Sequence, residues 1–334
     1  MAYCPQFVDI VGRMQRVLKA LISTLALALG GCAQVLGPEG ALTVVPYELT
    51  DSGRILVDVE INGQGPYPFS LDTGASISFL FLDSDDELQL DTVPDVTATV
   101  RGLVSSGRYP VVKVDSLQVG EEIWSEPTMV SVPGATAATR DIAGVLGVDF
   151  LRRYGLWLSA RDRELRLYSP ETLSGGSYNG WALVPLEPVS IGAASAPLYF
   201  FDIQIGGRTM PALFDLGSGT NLINAPAAQY LRLAPTDNTE ELMVAGALES
   251  APILARLQTP MRTENVSWQN EDLLIADFGI FATLLHEHSP LAIIGSGLLR
   301  QRDFVIDFER NRLLIRRGMD EVELEPEPEP EPER

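Results

Sequence analysis

Phe69-Ser-Leu-Asp-Thr-Gly-Ala-Ser76 and Leu213-Phe-Asp-Leu-Gly-Ser-Gly219 are almost the same phrase: an apolar run ending in Asp-x-Gly, with Thr73 in the first copy and Leu216 in the second. The likeness extends outward on both sides. Upstream, Val57-Asp-Val-Glu-Ile-Asn-Gly63 matches Phe201-Asp-Ile-Gln-Ile-Gly-Gly207, an alternating strand followed by a glycine turn in each case. Downstream, Val100-Arg-Gly-Leu103 aligns with Val244-Ala-Gly-Ala247, and Gly144-Val-Leu-Gly-Val-Asp-Phe-Leu151 aligns with Ala292-Ile-Ile-Gly-Ser-Gly-Leu-Leu299. Blocks in the same order at nearly constant offset mark an internal duplication whose period is far too long for a solenoid, so the chain is expected to form two lobes.

Each copy closes on hairpin grammar, a strand, a charged turn and a strand: Leu156 to Leu167 in the first half and Phe304 to Ile315 in the second. Helical periodicity is weak outside Ala227 to Leu231 and short runs such as Phe150 to Tyr154. The fold class is therefore all-β, with an N-terminal lobe over residues 42–170 and a C-terminal lobe over 181–318. Residues 181–195, with Pro185, Pro188 and Gly192, read as a linker or connecting strand.

The pattern hydrophobic-Asp-Thr-Gly-Ala-Ser, a glycine-bearing hairpin, then hydrophobic-hydrophobic-Gly resembles the retropepsin-like aspartic protease superfamily, here as two tandem lobes over Leu42 to Arg317. The resemblance implies a bilobal pepsin/retropepsin-like acid protease fold, two β-barrel-like lobes about a pseudo-twofold axis. It implies an aspartic endopeptidase acting on a peptide or protein substrate, with no metal and no cofactor. Carried over by residue, Asp72-Thr73-Gly74 is the first catalytic turn, braced by Val145-Leu146-Gly147. Asp215-Leu216-Gly217 is the second, braced by Ile293-Ile294-Gly295. Arg101 and Gly102, with Ala245 and Gly246 opposite, fall where the family places the flaps that close over substrate; ordinary hairpin glycines are the other reading of Gly102 and Gly246.

Two copies are needed for a physical reason. A lone exposed carboxylate is ionised at neutral pH, whereas two carboxyls pressed together resist losing both protons and titrate as a coupled pair. One can then take a proton from water while the other gives one to the substrate. Gly74 and Gly217 allow a sharp turn and close approach of the lobes. The resemblance assigns the Thr73 hydroxyl to a bond with the opposite lobe, which Leu216 cannot reciprocate. Ser296-Gly297 also lacks the polar residue that Asp149 provides in the first half. These departures leave a second functional reading open: a non-catalytic peptide-binding or scaffold protein that keeps the fold.

Residues 1–31 read as a signal peptide, with Arg16 and Lys19 before an apolar stretch from Ala20 to Leu29. Leu29-Gly30-Gly31-Cys32 resembles the lipobox of bacterial lipoproteins, which implies lipidation at Cys32, membrane attachment through it, and a periplasm-facing place in the cell envelope, at the outer membrane. An ordinary secretory signal is the alternative. The two cysteines, Cys4 and Cys32, would not both persist after cleavage, so no disulfide is expected. A net charge of −21 argues against nucleic acid as a partner. The closing Glu-Pro alternation, residues 320–334, reads as a solvated disordered tail. His286 and His288 lack a third ligand, and the acidic run Asp83 to Glu87 reads as a solvated loop. A monomer containing an intramolecular pseudo-dimer is the expected assembly.

Overall fold

A computed structural model of the chain describes residues 38–81, 88–101, 106–132, 142–192, 195–233, 241–243, 250–284, 289–299 and 301–317. Residues 1–31 with Cys32, the flap positions Gly102, Ala245 and Gly246, the acidic run from Asp83, His286, His288 and the 320–334 tail lie outside the described residues.

The first half contributes β1 (Thr43–Leu49), β2 (Ile55–Ile61), β3 (Gln64–Leu71), β4 (Phe79–Phe81), β5 (Thr92–Arg101), β6 (Ser106–Lys113), β7 (Ser116–Val119), β8 (Glu122–Ser125), β9 (Thr128–Val132) and β10 (Gly144–Leu146). A one-turn helix α1 (Val148–Leu151), β11 (Gly155–Ser159), β12 (Glu164–Tyr168) and α2 (Pro170–Ser174) follow. The second half runs β13 (Trp181–Pro185), β14 (Glu187–Val189), β15 (Leu198–Ile205), β16 (Arg208–Asp215), β17 (Asn221–Ile223), α3 (Ala225–Tyr230), β18 (Glu241–Met243), β19 (Ser250–Arg262) and β20 (Ser267–Ala276). It ends with α4 (Gly279–Leu284), β21 (Ala292–Gly295), a 3₁₀ turn (Ser296–Leu298), β22 (Phe304–Asp307) and β23 (Arg312–Arg316).

Alternation in the sequence becomes burial on one face of a strand. In β1, Val45 and Tyr47 point into the core while Val44 stays exposed. The strands that lead into the two aspartates, β3 and β16, are instead buried along their last three or four residues. That continuous burial follows from their central place: each is flanked on both sides. β3 pairs antiparallel with β2 and parallel with β10, placing Leu71 opposite Leu146. β16 pairs antiparallel with β15 and parallel with β21, placing Asp215 opposite Gly295.

The duplication is repeated in the pairing. The order β2-β3-β10-β4-β9-β6-β5 in the first half has the counterpart β15-β16-β21-β17-β20-β19-β18 in the second. The two closing hairpins then meet. β11 pairs antiparallel with β22, with Leu156 opposite Ile306 and Leu158 opposite Phe304, and the sheet continues outward as β12-β1 on one side and β23-β13 on the other. Residues 181–185, a connecting stretch by sequence, are thus a full strand of this shared sheet. Beneath it Trp157 and Trp181 meet edge to face at 5.2 Å between ring centres. The described residues from Gly40 onward belong to one compact unit.

Short helices sit where capping residues precede a proline, a signal that apolar periodicity misses. Ser169 Oγ accepts from the Thr172 N–H at 3.3 Å to start α2, and Asn224 Oδ1 accepts from the Ala227 N–H at 2.9 Å to start α3.

Because one sheet carries strands of both halves, a cavity in it should weaken both together. Leu156→Ala, at a fully buried position, is expected to cost about 2–5 kcal/mol and to leave a single unfolding transition in chemical denaturation. A variant that melts in two separate steps would contradict the shared-sheet coupling.

Candidate active site

Asp72 directly follows β3 and Asp215 ends β16, and each begins a four-residue turn. In the first turn the Gly74 N–H donates to Asp72 Oδ1 at 2.8 Å; in the second the Ser218 N–H donates to Asp215 Oδ1 at 3.1 Å. The brace that follows β10 and β21 fixes both turns in the same way. Val148 N–H donates to the Ala75 carbonyl at 2.8 Å, and Ser296 N–H donates to the Ser218 carbonyl at 2.8 Å.

The two turns face each other, each carboxyl lying against the glycine of the opposite turn, and the two acids are electrostatically coupled. The glycines explain how they approach. A Cβ built on Gly74 would stand 2.6 Å from Asp215 Cγ, and one built on Gly217 would overlap Asp72 Cγ. Neither glycine has a positive φ, so at these positions glycine is required by space: each carboxyl occupies the room that a side chain on the opposite turn would fill.

Burial pushes the Asp215 carboxyl well above the usual carboxylate range, and the negative charge of Asp72 pushes it further; the Gly217 and Ser218 N–H groups only partly oppose this. Asp72 is also raised by burial. Its hydrogen bond with Asp215, the Gly74 and Ala75 N–H groups and the Arg54 guanidinium draw it back. Asp215 is 7 % exposed, whereas Asp72 keeps more of its surface open. Two carboxyls this close resist losing both protons and titrate as a coupled pair.

Thr73 is fully buried and crosses the interface. Its Oγ1 donates to the Phe214 carbonyl at 2.7 Å and accepts from the Leu216 N–H at 2.9 Å, so one hydroxyl satisfies two backbone groups on either side of Asp215. Leu216 has no hydroxyl to return, and its side chain is fully buried in the main apolar core. Ser218 does not substitute for it: its Oγ donates to the Thr220 carbonyl at 2.8 Å, within its own turn.

The missing counterpart of Asp149 has a different answer. In the first half, Ser78 Oγ accepts from Gly147 N–H at 3.0 Å and donates to Asp149 Oδ1 at 2.6 Å. In the second half the residue six past the aspartate is Asn221 rather than Ser. Its Oδ1 accepts from Gly295 N–H at 3.2 Å and its Nδ2 donates to the Asp272 carbonyl at 3.1 Å. One amide, donor and acceptor together, performs the task that takes a serine and a carboxyl on the other side. The register of the repeat, Ser78 against Asn221, contains that signal.

Two further residues escaped the sequence reading. Ser296 Oγ donates across the interface to the Gly53 carbonyl at 2.6 Å, and Arg54 Nε donates to the Gly217 carbonyl at 3.1 Å. Arg101 ends β5, paired with Ser106 at the start of β6, so it stands at the tip of a hairpin stem. In the second half Glu241 to Met243 pair with Ser250 to Pro252, giving a second hairpin stem. Among the described residues no group of three or more His, Cys, Asp or Glu side chains converges, and no helix is long and apolar enough to cross a membrane.

The family model described as aspartyl protease matches residues 57–150, from within β2 to the middle of α1. This stretch, which contains Asp72-Thr73-Gly74 and its brace, is similar to retropepsin-like aspartyl proteases, and the match supports a protease-type function. No curated protein matches the chain.

The raised titration of Asp215 has a consequence for stability. A carboxyl whose folded pKa lies above its unfolded value stabilises the fold while protonated, and that contribution is lost as pH rises through the folded value. Asp215→Asn stays neutral throughout. Its melting temperature relative to the native protein is therefore expected to climb steadily from acid to neutral pH in thermal scans; a difference independent of pH would contradict the assignment.

Proposed function

We propose that the protein is an aspartic endopeptidase in which Asp72 and Asp215 activate a water molecule against a peptide bond. The observation that carries this reading is the close, coupled approach of two carboxyls, each against the opposite glycine, on two equivalently braced Asp-x-Gly turns. Ionised Asp72 takes a proton from water as the water oxygen bonds to the peptide carbonyl carbon. Asp215 gives its proton to the carbonyl oxygen, forming a neutral gem-diol. As the C–N bond breaks, the proton held by Asp72 passes to the departing nitrogen, and Asp215 recovers a proton from a diol hydroxyl. The chemistry closes with the pair in its starting state.

Thr73 holds the Asp215 turn at the height needed for this exchange; Gly74 and Gly217 leave the space in which the carboxyls meet. The substrate lies extended between the β5–β6 and β18–β19 hairpins, adding a strand held by backbone hydrogen bonds. The chain works as a monomer, its two halves supplying one aspartate each.

Replacing Asp72 or Asp215 by Asn, one at a time in the full chain, is expected to lower kcat/KM for a cleaved peptide by at least about 10²–10⁴-fold while the fold persists by circular dichroism. Undiminished cleavage by either variant would overturn the proposal. Peptides that bind the native protein without being cut would favour the non-catalytic reading.

We also propose that the protein is held at the bacterial envelope through lipid on Cys32, facing the periplasm at the outer membrane, since Leu29-Gly30-Gly31-Cys32 has the form that lipidation requires. Cys32→Ser is expected to move the protein from the membrane pellet to the soluble fraction. Retention in the pellet would refute lipid anchoring at this residue.

A further inference from the structure

The Thr50–Arg54 turn between β1 and β2 lies directly against the Asp215 turn. It is internally fixed: Thr50 N–H donates to the Arg54 carbonyl at 3.0 Å, Gly53 N–H donates to the Thr50 carbonyl at 2.8 Å, and Arg54 N–H donates to Thr50 Oγ1 at 3.0 Å. Gly53 takes a φ of 86°, in the left-handed region where glycine is at ease. The contact with the second half is backbone on backbone. A Cβ on Gly219 would overlap the Ser52 carbonyl, and one on Gly53 would stand 3.4 Å from the Gly219 carbonyl oxygen. Ser296 Oγ, fully buried, fastens the Gly53 carbonyl at 2.6 Å and also reaches the Ser218 carbonyl at 3.1 Å.

Arg54 emerges from this turn. Its Nε holds the Gly217 carbonyl at 3.1 Å, and Gly217 is the residue on which a Cβ would overlap Asp72 Cγ. The guanidinium is thus anchored on a peptide of the Asp215 turn that lies against the Asp72 carboxyl. In the repeat register Arg54 corresponds to Leu198, buried and apolar, so the second half offers no matching cation. Asp72 and Asp215 face Arg54 from the two catalytic turns, Asp51 of its own turn is exposed, and Asp149, behind the first turn, is engaged by Ser78.

We propose that Arg54 is a positioning residue of the dyad: it clamps the Asp215 turn from the opposite half, where Leu216 supplies no hydroxyl, and its charge keeps the pair in its singly ionised form. This rests on the endopeptidase reading for its consequence in catalysis, though the electrostatic link to the dyad does not. Burial works against the guanidinium charge, and both aspartates support it; reciprocally, the cation favours ionisation of Asp72. Without it both proton losses become harder, so the bell-shaped window of the active form moves to higher pH.

The test uses two substitutions that separate geometry from charge. Arg54→Gln keeps an N–H for the Gly217 carbonyl and loses the charge; Arg54→Lys keeps the charge and loses the planar fork. In the full chain, Arg54→Gln is expected to shift the acidic limb of kcat/KM upward in pH, with about tenfold loss at the acid edge. Arg54→Lys should lower kcat and leave the limbs in place. Unmoved limbs in Arg54→Gln would overturn the proposal, because a purely structural role changes rates without changing the profile. A second readout does not need cleavage. The stability gap between the native protein and Arg54→Gln should widen from acid to neutral pH and become flat in an Asp72→Asn/Asp215→Asn background. If no peptide is cut but this gap behaves as stated, the endopeptidase reading fails and the link between Arg54 and the dyad stands; a gap that is flat in the native background contradicts the link itself.

Discussion

Two carboxyls that touch in a site largely shielded from water cannot both be charged, and this constraint organises the protein. Satisfying it demands that two aspartates from distant parts of the chain arrive within hydrogen-bonding reach and stay there. The solution is steric as much as electrostatic. Each carboxyl lies in the space vacated by the missing side chain of the opposite glycine, Gly74 for Asp215 and Gly217 for Asp72. The buried parallel pairs β3–β10 and β16–β21 supply rigid platforms from which the turns project. The sheet shared by β11 and β22 sets the two halves against each other.

The halves repeat in topology but not in their polar contacts. On the first half stand Thr73, holding both flanks of Asp215, and Arg54, holding the Gly217 carbonyl. The equivalent positions on the second half are Leu216 and Leu198, both buried and apolar. Polar side chains of the first half therefore do most of the work of locating the second turn, with Ser296 returning one bond to Gly53. A net hydrogen bond contributes about 0.5–1.5 kcal/mol, and loss of one reciprocal hydroxyl is modest when the bonds of Thr73, Arg54 and Ser296 span the same boundary. The asymmetry also gives the two aspartates different surroundings: Asp215 is the more enclosed, and Asp72 is the one eased by the guanidinium. Paired acids with distinct environments suit opposite steps of proton transfer.

Much of the fold was legible in the sequence because the chain states it twice. Alternation in Val57 to Ile61 and Phe201 to Ile205, the two Asp-x-Gly turns and the two closing hairpins all fell on strands and turns as read. The meeting of Asp72, Thr73 and Asp215 was legible too, through the resemblance those residues carry. What escaped was substitution by a different chemistry. Ser218 serves its own turn, while Asn221 replaces a Ser78–Asp149 pair from a position that no motif marks. Arg54 was invisible for a related reason. It lies 18 residues before Asp72 in an unremarkable turn, and only the folding of one half against the other brings it to Gly217.

Carbon-13 labelling of the aspartate carboxyls, followed by NMR across pH in the native chain, reads the shared proton directly. Asp72 and Asp215 should titrate in two well-separated coupled steps, and replacing either by Asn should collapse the other's curve to a single step. Two independent curves in the ordinary carboxylate range, each indifferent to the loss of its neighbour, would contradict the account.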